Sequence, residues 1–147
     1  MNLTLRDNKG FTLVEIMIVM VILALLAALV LPKIMGRSDD AKIADTKVQI
    51  RNLESALKFY KLDNGVYPAT EQGLQALLEK PAVGKIPKNY RAEGYLESKK
   101  LPQDPWKNDF VYISPGEHGD YDLCSYGADD AKGGEGINAD ICSWDIK

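Results

Sequence analysis

The chain has 147 residues, 46% of them hydrophobic and 27% charged, with a formal net charge of -3 at pH 7. A weakly acidic balance without a basic, aromatic-interleaved stripe excludes a nucleic-acid partner. Two cysteines with no C-x-x-C pair, and a single histidine, give no basis for thioredoxin-like or zinc chemistry.

The chain opens with a leader, residues 1–10, which carries Arg6 and Lys9 and ends in Gly10. An apolar run of about 21 residues follows, from 11 to 31, broken only by Thr12 and Glu15 and closed by Pro32. That length matches the roughly 20 residues a helix needs to cross a bilayer. It is too long for the core of a cleaved secretory signal, and nothing of A-x-A type ends it. Residues 11–32 therefore predict a transmembrane helix. Arg6 and Lys9 hold the N-terminus in the cytoplasm, which places the rest of the chain across the membrane. A carboxylate such as Glu15 costs about 2.5–3.5 kcal/mol at the centre of a span, so it calls for a partner.

Pro32 removes one backbone hydrogen bond and predicts a kink or loosened turn. Beyond it, residues 33–62 contain no further proline and one glycine, Gly36. Ile43, Ile50, Leu53, Leu57 and Tyr60 recur at helical spacing and define one apolar face. Charged residues fill the other face, so residues 33–62 read as the amphipathic continuation of the same helix. That charged face is either solvated or pairs with stacked copies, Glu54 against Lys99 or Lys100 of a neighbour being the candidate pair.

Asp63-Asn64-Gly65 supplies a helix stop. Residues 63–147 then predict a small globular domain, with residues 33–147 (about 115 in all) long enough to bury one core. Thr70 predicts the N-cap of a short helix, Glu71 to Glu79, with Leu74, Leu77 and Leu78 inward. Residues 81–100, rich in Pro, Gly and Lys, predict a loop with a short strand at Tyr95-Leu96. Leu101-Pro102-Gln103-Asp104-Pro105-Trp106 predicts a turn with Trp106 packed on the long helix. Strand signals fall at Phe110 to Ile113, Asp120 to Tyr126 and Ile141 to Trp144. The fold class is α+β: a long N-terminal helix packed on a small three-stranded antiparallel sheet.

Between the last two strands, residues 127–140 hold four glycines, four carboxylates and almost no apolar mass. Calcium takes six to eight oxygen ligands with tolerant geometry, and this loop offers carboxylates and glycine-freed carbonyls. No EF-hand spacing is present, and composition alone fits a loose acidic loop as well. Cys124 and Cys142 are either a disulfide, worth about 3 kcal/mol for a loop of that size, or two buried thiols. His118 lies in the turn Pro115-Gly116-Glu117-His118-Gly119, and no Ser-His-Asp set, nucleophile elbow or phosphate loop occurs. The chain is predicted not to be an enzyme.

Gly10-Phe11-Thr12-Leu13-Val14-Glu15 resembles the cleavage motif of class III signal peptides, shared by type IV pilins and type II secretion pseudopilins. The stretch from Tyr60 through Tyr67-Pro68 to Leu74, Leu101 to Trp106, Ser114-Pro115-Gly116, Ser125 to Asp129, and Ala139 to Trp144 resemble the major pseudopilins of type II secretion. The likeness covers essentially the whole chain after the leader. It implies a type IV pilin-like fold with a calcium-binding loop. It also implies a prepilin peptidase that cuts after Gly10 and N-methylates Phe11, and a Glu15 that meets the terminal amine of a neighbouring subunit.

For the metal, the resemblance implies calcium held by the carboxylates of Asp129 and Asp140 and the carbonyls of Tyr126 and Ala131, with any ligand from 133–136 open. For function it implies the major structural subunit of a periplasmic homopolymer, which pushes folded exoproteins through an outer-membrane secretin. The implied partners are minor pseudopilins, the peptidase, an inner-membrane assembly platform and a separate ATPase. Before assembly the subunit would sit in the inner membrane with its domain in the periplasm. The shared leader and the cysteine pair leave a surface type IV pilin as the rival, and a non-polymerising anchored periplasmic domain as a second. Two departures stand out: Lys107 occupies a position where that family usually has glycine, and the cysteines are not general in it. If Cys124 and Cys142 pair, they staple the strands that flank the loop.

Overall fold

The structure, a computed structural model, describes residues 10–146, and for residues 29–37 the helical backbone alone. Contacts divide the chain between Ser38 and Asp39 into two units. One helix, α1 (Leu13–Asn64), contributes to both. Helical backbone continues through Pro32 without a break in α1.

In the first unit, every large apolar side chain from Leu13 to Leu26 is half exposed or more, Leu13 at 78% and Met20 at 64% among them. Nothing in the chain covers this surface among the described residues. Their apolar helix, residues 13–28, is about 24 Å long, and the apolar sequence runs on to Leu31. Among the described residues no helix is long and apolar enough to cross a membrane.

In the second unit the apolar face of α1 is the floor of the core. Ile50, Leu53 and Leu57 are fully buried, Tyr60 is 1% exposed, and Ile43 packs at the margin. Each such burial contributes about 1.5–3 kcal/mol. Thr46 is fully buried among them and donates its hydroxyl to the Lys42 carbonyl at 2.8 Å. The helix stops where Gly65 turns left-handed at φ 78° and donates its amide to the Lys61 carbonyl.

The short helix expected over Glu71 to Glu79 reduces to a 3-10 turn, Leu74–Leu77. Thr70 does not cap it. Its hydroxyl donates to the Ser114 carbonyl at 2.9 Å and accepts the Ser114 amide at 2.8 Å. The Gln72 side chain accepts the Ala69 amide and donates to the carbonyls of Val83 and Lys85. Cross-chain bonds thus take the groups that would have started a helix. Leu74 and Leu77 are nevertheless buried as expected. The strand expected at Tyr95-Leu96 is absent. Tyr95 makes a single backbone bond to Leu77, and its ring packs against Tyr60 and Tyr90 at 5.2 and 5.4 Å.

Among the described residues the sheet has three antiparallel strands in the order β1 (Val111–Ile113), β2 (Asp122–Ser125), β3 (Ile141–Cys142). Tyr112 pairs with Leu123, and Cys124 with Cys142. Alternation turns Tyr112, Leu123 and Ile141 toward the core. The Tyr112 hydroxyl donates to the Pro68 carbonyl, and burial pushes its pKa up to about 12. All three strands are shorter than the sequence signals. Beyond Cys142 the chain leaves the sheet as a 3-10 turn, Ser143–Asp145, and Trp144 stacks on the His118 ring at 3.8 Å. Trp106 packs against the core, with the Lys42 ammonium 6.0 Å from its ring.

Candidate functional site

Two places carry the residues that the sequence singles out. At the first, Gly10 and Phe11 precede α1, with Phe11 exposed. The Thr12 amide and hydroxyl both donate to Glu15 Oε2, at 2.8 and 2.9 Å. The Glu15 amide donates back to the Thr12 hydroxyl at 3.2 Å. This reciprocal arrangement is a capping box, which satisfies two helix-start amides inside the chain. Glu15 Oε1 takes no part in it and has no partner among the described residues. Thr12 is thus a site residue that the sequence reading missed, although the T-x-x-E spacing signals it.

The second place is the loop between β2 and β3. The Cys124–Cys142 disulfide closes its base between directly opposed residues, 18 apart in sequence. The turns Gly127–Asp129 and Gly136–Asn138 pack on each other. A Cβ on Gly127 would fall 2.7 Å from the Ile137 carbonyl, and one on Gly134 2.5 Å from the Asn138 carbonyl. The two limbs therefore meet backbone to backbone, and only glycine permits it at these positive-φ positions.

A buried polar chain fixes where the loop begins. Asp104, 3% exposed, accepts the Ser125 hydroxyl at 2.7 Å through Oδ2 and the amides of Trp106 and Asn108 through Oδ1. Ser125 Oγ accepts the Gly127 amide, and the Asn108 side chain donates to the Gly127 carbonyl. Lys107 completes that turn in a left-handed conformation at φ 72°. The glycine-like backbone is therefore kept without the glycine. Asp104, Asn108 and Ser125 are positioning residues that the sequence reading left as a turn and a strand.

Of the four expected ligands, the structure pairs them two by two. Asp129 Oδ1 accepts the Ala131 amide at 3.3 Å. Asp140 accepts the Gly133 amide on both oxygens, at 2.9 and 3.0 Å, and shares a cavity of about 110 Å³ with Tyr126 and Lys132. Asp129 and Ala131 lie outside that cavity. Among the described residues no three His, Cys, Asp or Glu side chains form a metal cluster. A cation here would rely on backbone carbonyls beside two carboxylates. The glycine-lined contact of the two limbs suits that, and an all-oxygen donor set is what a hard cation takes.

Beside the loop, burial pushes the Asp122 carboxyl up, but the Glu117 amide, the His118 ring and the His118 amide outweigh it and hold the pKa below the ordinary aspartate value. His118 is occupied there, its Nδ1 3.1 Å from Asp122.

The family model described as "Type II secretion system (T2SS), protein G" matches residues 33–144, and that of the prokaryotic N-terminal methylation motif matches residues 5–31. The chain is 52% identical to the type II secretion system core protein G of Pseudomonas aeruginosa over 95% of this chain and 97% of the relative. It is 49% identical to the core protein G of Vibrio cholerae over 97% and 96%. The crystal structure of the major pseudopilin of the type 2 secretion system of enterohaemorrhagic Escherichia coli superposes with a TM-score of 0.66 at 44% identity. That match covers 75% of this chain and 92% of the other.

Proposed function

The chain belongs to the type II secretion system protein G family, and from that premise we propose how it works as a pseudopilin subunit of a type II secretion pseudopilus. It is a structural subunit and not a catalyst. A prepilin peptidase cuts after Gly10 and methylates the new Phe11 amine. The uncovered apolar helix holds the subunit in the inner membrane with its domain in the periplasm. It then leaves the bilayer to pack among copies of itself. Contact with minor pseudopilins and an assembly platform organises growth, and the growing filament presses exoproteins toward the outer-membrane secretin.

Glu15 has a part in that exchange. Within one chain it closes the capping box through Oε2, and Oε1 is available for the cationic Phe11 amine of a neighbour. A charge left alone in lipid is expensive, and pairing in the filament removes that cost. In the C-terminal loop, Asp129, Asp140 and the carbonyls of Tyr126 and Ala131 would hold calcium, which would fasten two limbs that have almost no apolar mass of their own.

The observation that carries the reading is the apolar face of α1 from Leu13 to Leu26, at least half exposed throughout and headed by Glu15. The experiment is Glu15→Ala in the full chain. Membrane insertion is expected to be unchanged and filament yield to collapse; filaments in normal amounts would remove Glu15 from assembly. The surface-fibre rival is disfavoured by the family match over residues 33–144.

A further inference from the structure

Within the unit that begins at Asp39, charge is sorted along the helix. The segment from Gly136 to Ile146 packs beside Ile43 and Lys47. Residues 85–91 pack at the other end, where Lys85 and Lys88 lie beside Asp63 and Arg91 pairs with Asp63 and lies over Phe59, while residues 95–100 run back beside Asn52 to Phe59. These two stretches of α1 are centred about 16 residues apart, or about 24 Å along the axis.

The two ends carry opposite charge. Lys80, Lys85, Lys88, Arg91, Lys99 and Lys100 outnumber Glu93 and Glu97 within their loop, while Asp63 pairs with Arg91 and Glu71 and Glu79 lie beside it. The five lysines are all exposed and none makes an ion pair among the described residues. At the other end, Asp129, Asp130, Glu135, Asp140 and Asp145 face only Lys132. On the adjoining turn of helix, Asp39, Asp40 and Asp45 outnumber Lys42 and Lys47. A divalent cation in the loop would lower the excess, yet Asp130 and Asp145 are exposed and outside the expected ligand set. Glu54, by contrast, already accepts the Tyr121 hydroxyl within its own chain and is a poorer candidate for contact with a neighbour.

We propose that the acidic 129–145 end of one copy docks on the basic 80–100 loop of the next. This rests on the pseudopilin reading and adds the surface that joins the globular domains. Two different, complementary patches on one molecule make a heterologous contact, which propagates into an open helical array instead of closing into a dimer. Copies stacked with the second half of α1 parallel bring unlike ends together, and antiparallel stacking brings like ends together. The charge pattern therefore sets polarity as well as affinity.

The test is charge exchange in the full-length chain. Lys85→Glu with Lys88→Glu, and separately Asp130→Lys with Glu135→Lys, should each lower filament yield about tenfold or more, since each cancels the net charge of its patch and sets like charges at the exchanged positions. The chain carrying all four changes restores opposite signs at the four exchanged positions, although each patch as a whole becomes neutral, and should assemble again. Each variant is melted as monomer to show that its domain folds. Wild-type filaments should also release subunits when NaCl rises from about 50 to 500 mM, where the screening length shrinks to a few ångströms. Single-patch variants that assemble like wild type, or a four-fold variant that folds but does not recover, would overturn the docking surface. A wild-type chain that makes no filaments would instead overturn the pseudopilin reading itself.

Discussion

Lys107 shows how much one backbone angle can hold. Its φ of 72° lies in the left-handed region, where a Cβ costs about 1–2 kcal/mol. The turn is kept because Asp104 binds the amides of Trp106 and Asn108, and the Lys107 amide closes on the Asp104 carbonyl. Lys107→Gly should therefore raise stability by about 1 kcal/mol, or roughly 4 °C in melting temperature, after allowance for the looser unfolded glycine. Thermal unfolding decides it; an unchanged or lower melting temperature would mean that the lysine side chain compensates for its own strain. Thr12 and Glu15 teach the complementary lesson. Glu15, proposed above to pair between subunits, also starts its own helix.

At the scale of elements, the loop after β2 is held at three places: the Asp104–Ser125–Gly127 chain, the disulfide, and the two carboxylates on loop amides. Calcium would be a fourth. The melting temperature should fall on chelation, and Asp129→Ala or Asp140→Ala should abolish that fall. Chelation should cost more when Cys124 and Cys142 are reduced, because the closed bridge already restricts the loop ends. Equal melting with and without chelator in both redox states would dismiss the metal. What the sequence reveals here depends on distance along the chain. The apolar face of α1 is legible because helical periodicity is local. The three strands can be located but not trimmed. Thr70 looks like a cap, and is not one because its partner, Ser114, lies 44 residues away. The Asp104–Ser125 bond spans 21 residues and leaves no local pattern, whereas the Asp129–Ala131 turn spans two.

At the scale of the whole molecule, the chain combines an apolar stretch of helix, Leu13 to Leu26, that no described residue covers with a domain that buries its own core. The fold class and the three antiparallel strands could be read from the sequence, since strand signals and turn chemistry are local. The charge separation between loops 80–100 and 129–145 could be counted but not placed, since only packing against opposite ends of α1 turns composition into polarity. The disulfide has a last consequence. Its sulfurs can be joined only where an oxidant reaches them, and both cysteines are buried once the sheet has formed, at 6% and 4% exposure. Every copy therefore keeps a chemical passport stamp. Alkylation of denatured protein should find newly made chains still in the cytosol with two reactive sulfhydryls, and chains recovered from fibres with none.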